Sequence, residues 1–225
     1  MGKTDSRAKR PFRFFECTSL IQPTGRQAQD LSDLLSLIRI VDPGVIYHHT
    51  HQYFLKAAVE TPEYPNDFAV WAARSLEESA LAEKLTNLDL YAFSEIEQVR
   101  AALIEIIESY LGENPAPRPA RDGDAFFFND AVTIIAETGF EAETLPAFLE
   151  ALDRVGTSSI YFHFFEARFR LRRPADDFSV WIGSELNRPD LAQAIRGLDP
   201  YQLSLEGLRH RILTLLRPTV ARGVR

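Results

Sequence analysis

Cysteine is all but absent: the 225 residues contain one, Cys17. No disulfide can form within the chain, and a reducing compartment, the cytoplasm, is the expected setting. Long apolar runs are also missing, and none approaches the roughly 18 residues of a membrane-spanning helix. The opening "MGKTDSRAKRPF" has basic residues but no apolar stretch of the kind a secretory signal needs. Its Gly2 and Ser6 fit an acylation pattern that matches often by chance, so residues 1–11 are read as a disordered tail. A basic surplus is lacking too: 25 Lys and Arg stand against 32 Asp and Glu, a net charge of −7, which argues against a general nucleic-acid binder. Finally, there is no glycine-rich phosphate loop, no G-x-S-x-G elbow and no H-E-x-x-H helix.

What is present is self-similarity. Shifted by 114 positions, "FRFFECTSLIQPTGRQAQDL" falls on "FFFNDAVTIIAETGFEAETL". Phe12 meets Phe126, Phe14 meets Phe128, and Thr24-Gly25 meets Thr138-Gly139. After a four-residue shortening, "NDFAVWAARSLEESALAEKLTNLDLY" falls on "DDFSVWIGSELNRPDLAQAIRGLDPY". Both tryptophans, Trp71 and Trp181, then share one position, as do Asp67 and Asp177. Such order and spacing read as a tandem duplication. The proline-alternating "GENPAPRPARDGD" separates the copies as an extended linker. The expected organisation is module 1 over 12–111, linker 112–124, module 2 over 125–217 and a tail over 218–225.

The fold class expected is mainly α, two homologous helical modules each opened by a short strand. Asp30 and Thr144 are N-cap types before the apolar runs that begin at Leu31 and Leu145. Asn66-Asp67 and Asp176-Asp177 look like acid pairs but stand where a helix needs a cap. A capping box is expected at Ser94 and Glu97, and Pro189 opens a short helix. Only Phe12, Phe14 and the following "CTSLI", with their counterparts, look extended.

The stretches "PFRFFECTSLIQPTG", "YHHTHQYF" and "YPNDFAVWA", with "IYFHFFEARFRL" and "DDFSVWIGSEL", resemble an uncharacterised prokaryotic domain-of-unknown-function family. The resemblance covers nearly the whole chain, tandem arrangement included, and rests on Y-x-H and N/D-D-F-x-x-W signatures. It implies no activity.

Chemistry concentrates in "VIYHHTHQYF", where three of the five histidines occupy four positions. On a continuous helix at 100° per residue, Ile46, Thr50 and Tyr53 face inward and His49 lies on their flank. His48 and His51 share another side. His49 has a counterpart in His163, beside Asp67, Trp71 and Asp177, Trp181. These six residues are therefore read as shared and structural, each imidazole meeting a carboxylate or backbone group. His48 and His51 become Phe162 and Phe165, and Cys17 becomes Ala131. A candidate site follows from His48, His51, Cys17 and Tyr47. Its ligand atoms suit a divalent metal on His48, His51 and Cys17. Against this, phenylalanine at the equivalent positions shows that the face tolerates burial. The basic run Arg168, Arg170, Arg172 and Arg173 spreads around a helix and forms no phosphate-tracking stripe.

The reading favoured is a cytoplasmic binding or regulatory protein rather than an enzyme, taking a protein partner or a small molecule. The rival is a metal-binding protein or enzyme with one site in module 1.

Overall fold

The computed structural model describes residues 7–56, 63–171 and 175–223. Its element order is β1 (Phe12–Ala28), α1 (Leu31–Ile38), α2 (Pro43–Thr50), α3 (Tyr53–Lys56), α4 (Asp67–Arg74), α5 (Ser79–Thr86) and α6 (Ile96–Glu113). The order then recurs: β2 (Phe126–Ala142), α7 (Leu145–Arg154), α8 (Thr157–Tyr161), a π-helical turn (Phe162–Glu166), α9 (Ala167–Leu171), α10 (Asp177–Ser184), α11 (Pro189–Arg196) and α12 (Leu205–Gly223). Among the described residues no helix is long and apolar enough to cross a membrane.

The expectation of a mainly α fold with short opening strands is corrected here. β1 and β2 each run for 17 residues and pair with one another in a two-stranded sheet, so the architecture mixes helix and strand. The extended pattern seen in the sequence stops at Ile21, yet the strand runs on through the Thr-Gly pair. Gly25 and Gly139 take positive φ of 73° and 78°, a conformation glycine enters without a Cβ clash. The neighbouring threonines then stitch the strands together. Thr24 Oγ1 donates to the carbonyl of Phe128 at 2.6 Å, and Thr138 Oγ1 donates to that of Phe14 at 2.7 Å. Each threonine oxygen also accepts the N–H two residues on, from Arg26 or Phe140, at 3.2 Å. The side chain thus carries the ladder past the irregular glycine, much as a β-bulge is tolerated.

Compact units do not follow chain order. Of the described residues, 7–18 and those from 134 on form one unit; 19–56 and 63–133 form the other. Each strand therefore gives its first part to the unit built from the other half's helices. We refer to these as the His163 unit and the His49 unit.

In the His49 unit α6 packs against α1, α2 and α5. Asp30 caps α1 by accepting from Asp33 N–H at 2.9 Å, and Asn66 caps α4 by accepting from Ala69 N–H at 2.8 Å. The box at α6 falls one residue later than its sequence suggests, with Gln98 accepting from the N–H groups of Ser94 and Glu95. Residues of the linker are tied down here: Ala120 N–H donates to Gln29, and Arg118 and Arg121 both bond Glu77. In the His163 unit α12 packs against α7, α8 and α11. There Ala8 is buried, its N–H donating to the Glu143 carbonyl at 2.7 Å.

Both cores are aromatic around the incoming F-x-F segment. In the His163 unit Phe12 lies 4.8 Å from His163, 5.6 Å from Phe178 and 5.6 Å from Trp181, between ring centroids. In the His49 unit Phe126 lies 4.7 Å from His49, 5.0 Å from Phe68 and 5.7 Å from Trp71. Rings this close add edge-to-face and stacking attraction to the area they remove from water.

Candidate functional site

The histidine segment is not one continuous helix. α2 stops at Thr50, a turn covers His51 and Gln52, and α3 starts at Tyr53. At the corresponding place in the second half the chain widens into the π-turn at Phe162–Glu166. Both irregularities break the 100° spacing beyond Thr50, although Ile46 and Thr50 are buried as that spacing expects. His48, His49 and His51 are all buried.

His49 and His163 do the same work in their own units. His49 Nδ1 lies 2.9 Å from Asp67 Oδ2, while its Nε2 accepts the backbone N–H of Asn129 at 2.9 Å. His163 Nδ1 lies 2.8 Å from Asp177 Oδ2, and its Nε2 accepts the N–H of Phe15 at 2.8 Å. Accepting at Nε2 fixes the tautomer: each ring is neutral with its proton on Nδ1, donated to the carboxylate. Burial holds the His163 pKa below its usual value, against the opposing pull of Asp177. Tryptophan completes the arrangement one turn along. Trp71 Nε1 donates to the Asp124 carbonyl at 2.7 Å and Trp181 Nε1 to that of Arg10 at 2.8 Å. Asp, His and Trp of one half thus grip the strand entering from the other half.

The two acid pairs divide their labour. Asn66 and Asp176 are the caps, while Asp67 and Asp177 face the histidines. Asp177 has a second partner, Arg170, at 2.6 Å, whose guanidinium also lies 4.8 Å from the Phe162 ring centre. Arg172 and Arg173 lie outside the described residues.

The candidate residues found only in the first half separate. His48 Nδ1 lies 2.9 Å from Gln52 Oε1, which also accepts from Ser19 Oγ at 2.9 Å. Gln52 Nε2 donates onward to Thr133 Oγ1 at 3.0 Å. His51 stacks on Tyr47, with centroids 5.2 Å apart and planes 7° apart, as Phe165 stacks on Tyr161. Burial pushes the His51 pKa down to about 3. Cys17 belongs to the His163 unit, where its thiol faces the Ser158 carbonyl at 3.8 Å. Burial, followed by the charge of Glu166, raises that thiol well above the usual cysteine value, so it is a poor nucleophile.

Among the described residues the group that does gather metal-ligating atoms is His48, His49 and Asp67, all within 4.8 Å of one another. The tautomer works against a cation there. A metal on His49 Nδ1 would move the ring proton to Nε2, where it would meet the Asn129 N–H head on.

Sequence reading missed a cleft of about 570 Å³ in the His163 unit. Its walls include Phe12, Phe15, Phe162 and Trp181, with Arg10, Arg13 and Arg170 among its polar groups and His163 and Asp177 beside them. The signal was available in the pairing of halves: Arg10 and Arg13 stand opposite Asp124 and Phe127.

The profile of a family of unknown function (DUF5752) matches residues 9–217. The solved structure of OrfY from Thermoproteus tenax is similar at a TM-score of 0.81 and 32% identity, covering 97% of this chain and 99% of that one. No curated protein matches the chain.

Proposed function

The chain belongs to the DUF5752 family, a family of unknown function, and on that premise we propose that it is a non-enzymatic ligand-binding protein whose site is the cleft of the His163 unit. The cleft carries this reading: about 570 Å³ of aromatic-walled space with a few convergent polar groups suits a small molecule. The one histidine in its wall has both ring nitrogens committed, to Asp177 and to the Phe15 N–H, so it is not poised to move a substrate proton. We further read the two halves as a duplicated module, with a first element over 12–111 and a second over 125–217. The recurring element order and the matched Asp, His and Trp contacts support that reading. A reducing cytoplasm is the setting proposed, in keeping with a single buried thiol.

The test uses the neutral dye N-phenyl-1-naphthylamine, which brightens in apolar sites. The intact protein should bind one dye per chain, and Val180→Trp, which fills the cleft wall, should abolish binding while leaving the folded circular-dichroism spectrum. Dye binding unchanged in Val180→Trp would overturn the assignment.

A metal-binding reading has one observation behind it, the cluster of His48, His49 and Asp67. Zinc titration of untagged protein separates the two. One tight zinc per chain, lost in His48→Phe, would replace the binding reading with a metalloprotein; the tautomer argument predicts none.

A further inference from the structure

The geometry points to a ligand with a flat apolar body and a single anionic group, carboxylate or phosphate, as the occupant of the His163-unit cleft. This inference rests on the cleft being the binding site.

The charge balance of the lining is the first support. Three guanidiniums, from Arg10, Arg13 and Arg170, line the cleft against two carboxylates, Asp177 and Glu185. Both carboxylates are already matched. Arg170 holds Asp177 at 2.6 Å, and Arg10 reaches Glu185 through its side chain at 3.1 Å and its backbone N–H at 3.2 Å. Arg13 is left over. The chain as a whole is acidic, at −7, so three guanidiniums at one cleft, one of them held only by a long exposed pair, are a local departure from the general charge. A guanidinium fork is suited to bidentate contact with a carboxylate or phosphate.

The second support is the body of the cleft. Half-buried Phe15 presents aromatic surface and Ile135, 48% exposed, an aliphatic wall that water covers when nothing else does, while Phe162 and Trp181, both buried, back them. Flat apolar groups stack well on such walls, and burial of that surface supplies affinity that a bare anion cannot obtain.

The third support comes from the other half. Counterparts of the cleft residues Arg10, Arg13, Phe15 and Phe162 are Asp124, Phe127, Asn129 and His48. The residues that clamp the strand are kept between halves, while those that would select an anion are not. The cationic character is therefore not required by the clamp.

The experiment uses the full chain with Trp71→Phe, so that Trp181 alone reports by fluorescence, and compares phenyl phosphate, benzoate, inorganic phosphate and benzyl alcohol. Phenyl phosphate and benzoate should quench Trp181 at concentrations at least about tenfold lower than benzyl alcohol, and inorganic phosphate should be weak. Arg13→Glu should cost the two aromatic anions about tenfold or more and leave benzyl alcohol unchanged; Arg13→Lys should keep most of the affinity. The ratio of phenyl phosphate to benzoate then tells which anion is preferred. Benzyl alcohol binding as well as the anions would overturn the anionic inference and leave the cleft reading standing. No response of Trp181 to any probe would overturn both.

Discussion

The His49 and His163 units solve one problem with the same parts and differ in what surrounds them. In each, an Asp orients a neutral imidazole whose Nε2 receives the N–H that follows an F-x-F strand segment. In each, a Trp takes the carbonyl just upstream of that segment. The surroundings diverge. In one unit His48 and Gln52 join Ser19 and Thr133 in a network, where the other unit has Phe162 and Glu166. Asn66 caps one α4-type helix and Asp176 the other. Contacts repeated in both units mark what the fold requires. Departures mark where one unit has been free to acquire something of its own, and the cleft lies among them.

The sharpest way to break the comparison is to remove the clamp. His163→Ala leaves the Phe15 N–H without its acceptor and takes one partner from half-buried Asp177, which keeps Arg170; His49→Ala leaves the Asn129 N–H without its acceptor and takes one partner from Asp67. Deleting one member of a buried, charge-assisted pair costs on the order of 3 kcal/mol. Both variants should lose about that much by urea unfolding. A loss below about 1 kcal/mol in both would mean the imidazoles are not what holds the strands. A large loss in one only would mean that the units merely look alike.

This clamp was partly legible in the sequence. His49 with His163, Asp67 with Asp177 and Trp71 with Trp181 are visible as pairs, because side-chain identity survives in the letters. Their common partner was not, since it is a backbone N–H that any residue supplies: Phe15 in one unit, Asn129 in the other. Strand length was misjudged for a related reason. The extended pattern ends at Ile21, and only the cross-strand carbonyl of Phe128 reveals that Thr24 continues the ladder. One continuous helix through 45–56 does not form because the chain turns at His51 and Gln52, and its counterpart widens into a π-turn. Tyr47 and His51 stack across the break at the same spacing as Tyr161 and Phe165 across the π-turn.

A smaller effect tests the two caps. Asn66 accepts from Ala69 N–H with Oδ1 and donates from Nδ2 to the Leu85 carbonyl at 3.1 Å. Asp176 caps with Oδ1 likewise, but its Oδ2 is buried without a hydrogen-bond partner. Burial pushes this carboxyl above the usual aspartate value, against the pull of its bonds to Ser179 and the charge of Arg168. The folded state therefore holds a proton that the unfolded chain releases, and stability falls as pH rises above the ordinary aspartate value near 3.8. Asp176→Asn restores the arrangement seen at Asn66. It should stabilise the protein by roughly 1–2 kcal/mol at pH 7, and by progressively less as the pH is lowered towards 4. A gain that does not change with pH would place the defect in packing instead.

The least disruptive change at neutral pH is His51→Phe, which gives the His49 unit the ring that the His163 unit already uses at that position. Phe165 packs on Tyr161 as His51 packs on Tyr47, so the swap conserves shape; it gives up the contacts of the His51 ring nitrogens with Thr50 Oγ1 at 2.8 Å and the Leu90 carbonyl at 3.5 Å, and should shift stability at pH 8 by less than about 1.5 kcal/mol. Acid should separate the two proteins. Buried His51 takes a proton only near pH 3, whereas the unfolded chain takes one near the usual 6.5. Its contribution is thus fully present above about pH 6.5 and is lost as the pH falls from there towards 3, by at most about 1.4 kcal/mol per unit. The wild type should weaken over that window more steeply than His51→Phe, with the difference in slope approaching one proton. His163, also shifted downward by burial, contributes the same sign in both proteins and cancels from the comparison. Urea midpoints at half-unit steps from pH 8 to pH 4 measure it. Parallel curves would show that the Leu90 carbonyl, 3.5 Å from Nε2, is enough to hold a charged ring while folded, and that the resemblance of His51 to Phe165 ends at shape.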